Sequence, residues 1–206
     1  MFILYYALFT YSIRIDINQN SYTGNSYEEI LTTYGSDVST INSIVVQEGD
    51  FPVNSISNEY TNLVTLEVPT DSFTSSINDE LFKNMDLLKT VIIDGATSIG
   101  TNSFENCVQL ETVRFSSCTL VNSKAFQSCS LLETVSIPKV QVIKSNAFSN
   151  TKIASIECNF LTTIEDYGFS DCSLLSSITV PLLETIGAYC FKGTALKSLT
   201  LDKLTS

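Results

Sequence analysis

A phrase of three apolar positions, written Leu-x-x-Val-x-Ile, recurs along the chain at intervals of 21 to 25 residues. The last two apolar positions are two residues apart, so their side chains point to the same side of an extended strand. Each phrase therefore predicts a short strand with one buried face. The clearest copies begin at Leu110, Leu132 and Leu175.

Eight copies of the phrase can be aligned, the first beginning at Ile41 and the last ending at Leu201. A period near 22 residues is typical of a solenoid, in which each coil buries its apolar face against its neighbours. The sequence thus predicts an α/β solenoid of about eight coils of 21–25 residues, dominated by one parallel β ladder.

Two further apolar positions recur in each coil. An Ile or Val follows the strand by six residues, and a phenylalanine comes five residues later, directly after a small residue. We expect the phenylalanines to form one internal column along the solenoid, because equivalent residues of stacked coils lie above one another. The column comprises Phe82, Phe104, Phe126, Phe148, Phe169 and Phe191.

The two ends of the chain do not follow this pattern. Residues 13–40 predict an N-terminal cap: Ile13–Ile17 alternates as one edge strand, and Ser26 with Glu29 begins a short amphipathic helix that Gly35 ends. Residues 1–12 contain an apolar segment that fits either a short secretory signal or a strand packed under the cap. The solenoid is assigned to 41–206 with no C-terminal cap, so that either further repeats or a partner would cover its last coil.

The composition argues against several classes of partner and against catalysis. The net charge is −11 and the chain has no histidine. The negative charge argues against nucleic acid and anionic membranes as partners, and the absence of histidine removes the usual general base. No phosphate-binding loop, metal-ligand spacing or transmembrane stretch is found in the sequence, so we expect no enzyme, no cofactor and no membrane span.

The six cysteines are predicted to be buried free thiols, with disulfides as the alternative. Cys107, Cys129 and Cys172 each follow a column phenylalanine by three residues, and threonine takes this position as Thr151 and Thr194. A position that accepts threonine does not require a disulfide. Cys158 and Cys190 also take repeat positions, whereas Cys118 lies outside those identified.

The outward side of the strands is the candidate protein-binding surface, since the strand side of curved solenoids commonly binds partners. We call it the strand-face strip. It is dominated by hydroxyl side chains, with no aromatic residue, and a solvated strip that binds nothing is the alternative. Its members are Thr90, Ile92, Thr112, Arg114, Thr134, Ser136, Ser155, Glu157, Ser177, Thr179, Ser198 and Thr200.

Two stretches carry a family resemblance. Val135-Ser136-Ile137-Pro138 followed by Ile143 to Phe148, and Val180-Pro181 followed by Ile186 to Phe191, resemble BspA-like leucine-rich-repeat proteins over about residues 41–201. The resemblance implies a surface antigen, secreted or held at the cell surface, that adheres to a host cell-surface or matrix protein. An intracellular scaffold or an inert spacer, located in the cytoplasm, is the competing hypothesis. The sequence does not give the oligomeric state.

Overall fold

The computed structural model describes residues 13–24, 26–35, 37–48, 51–56, 59–68 and 73–199. It begins with a hairpin of β1 (Ile13–Ile17) and β2 (Asn20–Gly24), joined by Asn18 and Gln19. Both joining residues have positive φ, 50° and 68°, the conformation that a two-residue hairpin turn matching the strand twist requires. The N-terminal segment 1–12, for which two interpretations were given, lies outside the described residues.

Helix α1 (Tyr27–Tyr34) follows the hairpin. The helix begins and ends as predicted, because the Ser26 hydroxyl accepts a hydrogen bond from the Glu29 N–H at 3.1 Å and Gly35 ends the helix at φ 124°. The prediction that β1 is an edge strand is wrong. It pairs antiparallel with β2 on one side and with the first repeat strand on the other. Short 3-10 turns follow at Val38–Thr40 and Val53–Ser55.

The repeat phrases form the predicted parallel strands, here called the first ladder. Equivalent apolar residues are in register, so that Leu66 pairs with Val91, Val91 with Val113 and Val113 with Val135. Its strands are β3 (Ser43–Glu48), β4 (Thr65–Val68), β5 (Thr90–Ile93), β7 (Thr112–Arg114), β9 (Thr134–Ser136), β11 (Ser155–Glu157) and β13 (Ser177–Thr179).

A second parallel ladder, not predicted from the sequence, runs beside the first. Its two-residue strands each contribute one inward Ile or Val, the aliphatic that recurs six residues after each phrase. They are β6 (Ser98–Ile99), β8 (Leu120–Val121), β10 (Val142–Ile143), β12 (Thr163–Ile164) and β14 (Thr185–Ile186).

The third side of each coil carries the phenylalanine column, which is confirmed. Consecutive rings are stacked, with centroids 4.9 to 6.0 Å apart and planes within 10°. The backbone joins the coils here as well: Asn102, Phe104 and Asn106 donate their N–H groups to the next coil, at 3.0, 2.8 and 2.9 Å. The same pattern of alternate donors recurs in the coils that follow, so backbone hydrogen bonds also connect neighbouring coils on this side.

These turns use left-handed backbone two residues before and two residues after each phenylalanine. Around Phe104 the residues are Asn102 and Asn106, with φ 55° and 60°. Asparagine tolerates this conformation better than most residues, and glycine takes it at Gly193. Non-asparagine residues such as Lys124 occupy the same position elsewhere, at φ 58°.

Two predictions about the first ladder need correction. Seven of the eight phrases form strands, and these bound about six turns instead of seven. The eighth phrase is not a strand at Ser198 and Leu199, and its positions Thr200 and Leu201 lie outside the described residues. The ladder is also not continuous. Strands β3, β4, β5, β7 and β9 share one sheet with the hairpin, and among the described residues β11 pairs only with β13.

The core is a single cluster of buried side chains that extends from the hairpin to the last described coil. All six cysteines belong to it, as predicted, and none is bridged. Cys118 does have a repeat position, in a further buried column with Ala96, Val140, Leu161 and Leu183. No helix among the described residues is long and apolar enough to span a bilayer.

Candidate functional site

The strand-face strip lies on one side of the first ladder, as its alternation requires, but its two halves differ in exposure. The side chains from Thr90 to Arg114 are half-buried, whereas those from Thr134 to Thr179, together with Ser198, are exposed. Thr200 lies outside the described residues. The change coincides with the interruption of the ladder after β9.

Arg114 is not a free cation on this strip. Its guanidinium donates to Asp94 of the preceding coil through Nε to Oδ1 at 2.9 Å and Nη2 to Oδ2 at 2.7 Å. The Ser116 hydroxyl donates to the same carboxylate. Burial alone would raise the pKa of Asp94, but the bonds from Arg114 and Ser116 outweigh it and hold that pKa below its usual value. The pair links two coils, and Arg114 is thus less available to a partner.

A cleft of about 570 Å³ opens where β9 and β11 separate. This volume lies in the range of roughly 300–1,000 Å³ that is common for ligand sites. Residues of the strip and of the turns after β9 and β11 line the cleft. They include the strip residues Ser136, Ser155, Glu157 and Thr179 and the turn residues Pro138 and Asn159.

The interruption follows from the length of one turn. Phe148 precedes the first apolar position of its phrase, Ile153, by five residues, whereas Phe126 precedes Leu132 by six. The shorter turn changes the first bond between coils, since the Lys152 N–H donates to Leu132 O at 3.0 Å. Lys152 comes directly before the first apolar position of its phrase, Ile153. In the preceding coil the donor comes directly after that position: the N–H of Glu133, which follows Leu132, donates to Glu111 O at 3.1 Å.

Sequence reasoning identified the strip but missed the cleft and two residues that line it. Pro138 and Asn159 line it, and Phe160, which follows Asn159, is 55% exposed. The short turn and Thr151 in place of cysteine were both visible in the sequence. The same combination recurs at Thr194, and a second cleft of about 410 Å³ lies beside the coil that follows it.

Several carboxylates on the turns connect neighbouring coils. Asp79 accepts from the Thr101 N–H at 2.6 Å and Asp166 from the Ala188 N–H at 2.7 Å. Glu165 accepts from Lys144 Nζ at 2.9 Å and from the Ser145 N–H at 3.1 Å. Burial opposes ionisation of Glu165, yet the bonds from Lys144 and Ser145 keep its pKa below the usual value. These carboxylates therefore act as structural acceptors between coils.

The cysteines are poor nucleophiles in this environment. Burial raises the pKa of Cys107, Cys118, Cys158 and Cys190 to about 12 each. The Cys107 thiol donates to Phe82 O at 2.9 Å, and Cys129 repeats this contact with Phe104 O at 3.0 Å. A thiol held in this way fills a gap and satisfies a carbonyl of the preceding coil.

Comparison with known proteins agrees with this architecture. The chain is similar to a leucine-rich repeat protein from Bacteroides ovatus, with 17% identity over 80% of this chain and a TM-score of 0.52, and it spans 56% of that protein's length. It is also similar to a leucine-rich repeat protein of T. pallidum, with 16% identity over 71% of this chain and 78% of that one, at a TM-score of 0.46. A leucine-rich cell surface protein from Faecalibacterium prausnitzii gives 24% identity over 68% of this chain and 50% of that one, at 0.29.

No curated protein matches the chain. A family model does: the BspA type leucine-rich repeat region, in six copies, matches residues 53–159 and 97–206. These two ranges contain the first ladder from β4 onward, the second ladder and the phenylalanine column. The repeats form a parallel-strand solenoid, and the chain therefore belongs to the BspA-type leucine-rich-repeat family.

Proposed function

We propose that this chain is a non-catalytic adhesin that acts at the cell surface and binds a host cell-surface or matrix protein through the strand-face strip. The observation that carries the proposal is the exposure of the strip from Thr134 to Thr179. These side chains project from strands that are each paired with a neighbouring strand, β9 with β7 and β11 with β13. A partner that binds them therefore orders little of the protein, which keeps the entropic cost of association low.

The surface is polar and lacks a deep apolar pocket, which favours a broad contact of moderate affinity. Hydroxyl side chains such as Thr134, Ser136 and Ser177 donate and accept hydrogen bonds, and Glu157 adds one negative charge. Adhesion suits such a surface, because many copies on one cell bind together and their avidity exceeds the affinity of each site.

The experiment substitutes Thr134→Lys and Ser177→Lys and measures binding of the purified protein to host cells and to a panel of purified matrix proteins. Both substitutions place bulk and charge on exposed positions, so we expect binding to fall about tenfold or more with unchanged thermal unfolding. Thr119→Lys is the matched control, an exposed threonine beside the second ladder. Normal binding by both strip variants, or an equal loss in the control, would exclude the strip as the contact surface.

An intracellular scaffold is the second candidate, and one observation favours it. All six cysteines are unbridged, as is usual for proteins in reducing compartments. Protease treatment of intact cells separates the two functions: an adhesin at the surface is digested, whereas a scaffold inside the cell survives until the cells are lysed.

A further inference from the structure

The interruption of the first ladder leaves backbone groups without the partners they have in other coils. The N–H of Phe115 donates to Ser136 O at 2.9 Å, and the N–H of Cys158 donates to Thr179 O at 2.9 Å. Ile137 has the same repeat position in the coil between them. Its N–H makes no backbone hydrogen bond within residues 73–199 of the described chain, and no strand pairing joins β9 to β11 there.

Two strand edges thus face one another across the cleft. Strand edges with unpaired N–H and C=O groups bind extended peptides by adding a strand, with hydrogen bonds to the peptide backbone. The cleft volume of about 570 Å³ admits a short segment. Ile137 itself is buried, so its unbonded N–H adds a free-energy gain when a carbonyl oxygen reaches it.

The side chains around the cleft indicate the chemistry of the occupant. Glu157 is the one charged residue that lines it, and its Oε1 accepts from Asn159 Nδ2 at 2.7 Å. The other polar lining groups are hydroxyls, including Ser155 and Thr179. A carboxylate among hydroxyls, on a chain with a net charge of −11, attracts a cation. No aromatic ring lines the cleft, which disfavours a sugar that stacks on aromatic side chains.

We propose that this cleft binds an extended peptide segment of the partner that carries a Lys or Arg side chain, with its backbone bonded at Ile137 and its basic group near Glu157. The proposal rests on the proposed function, since it specifies the part of the strip at which the partner's chain docks.

The first test measures the free protein by amide hydrogen exchange. We expect the Ile137 amide to exchange at least about tenfold faster than the amides of Phe115 and Cys158, because only the latter two are hydrogen-bonded. All three residues are buried, so burial alone predicts similar protection. Equal protection of the three amides would overturn the proposal.

The second test titrates the ¹⁵N-labelled chain with two heptapeptides in which threonine alternates with lysine or with glutamate. We expect the lysine peptide to bind about tenfold more tightly, to shift the Ile137 amide and to leave the Phe115 amide unchanged. A lysine peptide methylated on alternate backbone nitrogens keeps its charge and should bind about tenfold more weakly. Equal binding of the methylated and unmethylated peptides would overturn strand addition.

Glu157→Gln should remove most of the preference for the lysine peptide. Glu67→Gln is the matched control, because Glu67 has the equivalent outward position on β4, which is paired on both sides. Tighter binding of a neutral oligosaccharide than of either peptide would overturn the assignment of a peptide. The outcome is separable from that of the proposed function: if the wild-type chain binds neither peptide while Thr134→Lys and Ser177→Lys still reduce adhesion, the cleft proposal fails and the proposed function stands.

Discussion

Arg114 and Asp94 form a two-point ion pair that joins consecutive coils across the strand face, with donor–acceptor distances of 2.9 and 2.7 Å. Asp94 immediately follows β5, and Arg114 is the last residue of β7, so the pair fixes the end of one strand to the turn of its neighbour. The residue that interrupts the hydroxyl pattern of the strip thus has a structural role.

Asp94→Asn should weaken the fold at neutral pH and not in acid. The pKa of Asp94 is lower in the folded chain than its unfolded value of about 3.9, so the pair stabilises the fold above that pH and the contribution disappears as pH falls through the folded-state pKa. Arg114 is partly exposed, which limits the effect to at most about 1 kcal/mol. Urea unfolding at pH 7 and pH 2.5 measures it.

The control for this pair is Glu111→Gln. Lys89 and Glu111 are 3.6 Å apart and both about half exposed, so their loss should change the free energy of unfolding little at either pH. If Asp94→Asn is equally destabilising at pH 7 and pH 2.5, the ionised pair is not the source of the effect.

Phe126→Ala should destabilise the chain by about 3–5 kcal/mol, because it removes a fully buried ring from the middle of the column and leaves a cavity. The Phe126 ring stacks on Phe104 at 5.1 Å and on Phe148 at 5.2 Å, so hydrogen exchange should accelerate first in those two coils. Phe160→Ala removes an exposed ring and serves as the control, with a change of at most about 0.5 kcal/mol. A loss below 1 kcal/mol in Phe126→Ala would contradict the column's role.

The cysteines should not react with a thiol reagent in the native protein at pH 8. Burial excludes the reagent and holds the pKa of Cys107 at about 12, so the thiolate is scarce. All six thiols should react at once after denaturation. Ser130→Cys, at an exposed position, is the positive control and should react in the native state. Rapid modification of the native wild-type chain would show that the thiols are accessible.

Lys124→Asn should stabilise the chain. Lys124 has φ 58°, and other coils have asparagine at the equivalent position, as at Asn102 and Asn146. Relief of left-handed strain in a non-glycine residue contributes up to roughly 1 kcal/mol, and the exposed lysine makes no ion pair in the described part of the chain that its loss would disrupt. Thermal unfolding measures the gain. Lys139→Asn, on a turn without positive φ, should give none, and an equal gain there would point to charge as the cause.

The sequence alone determined the architecture, because a solenoid repeats one set of contacts and the residues that make those contacts recur in every repeat. The strand phrase specified β5, β7 and β9 with their register, and the phenylalanine period specified a stacked column. The buried thiols followed from the same logic, since a position shared by cysteine and threonine identifies a small buried group. One column was overlooked although its signal was present, namely the one that contains Cys118.

The tertiary structure decided what the period does not encode. The second ladder depends on backbone bonds between coils, and the one recurring aliphatic residue of a two-residue strand such as β6 does not show that its backbone is paired. The bond between Arg114 and Asp94 depends on where two turns meet in space. The cleft arises because one missing residue before Ile153 changes the bond between two coils, and the resulting separation of β9 from β11 leaves the Ile137 N–H unbonded.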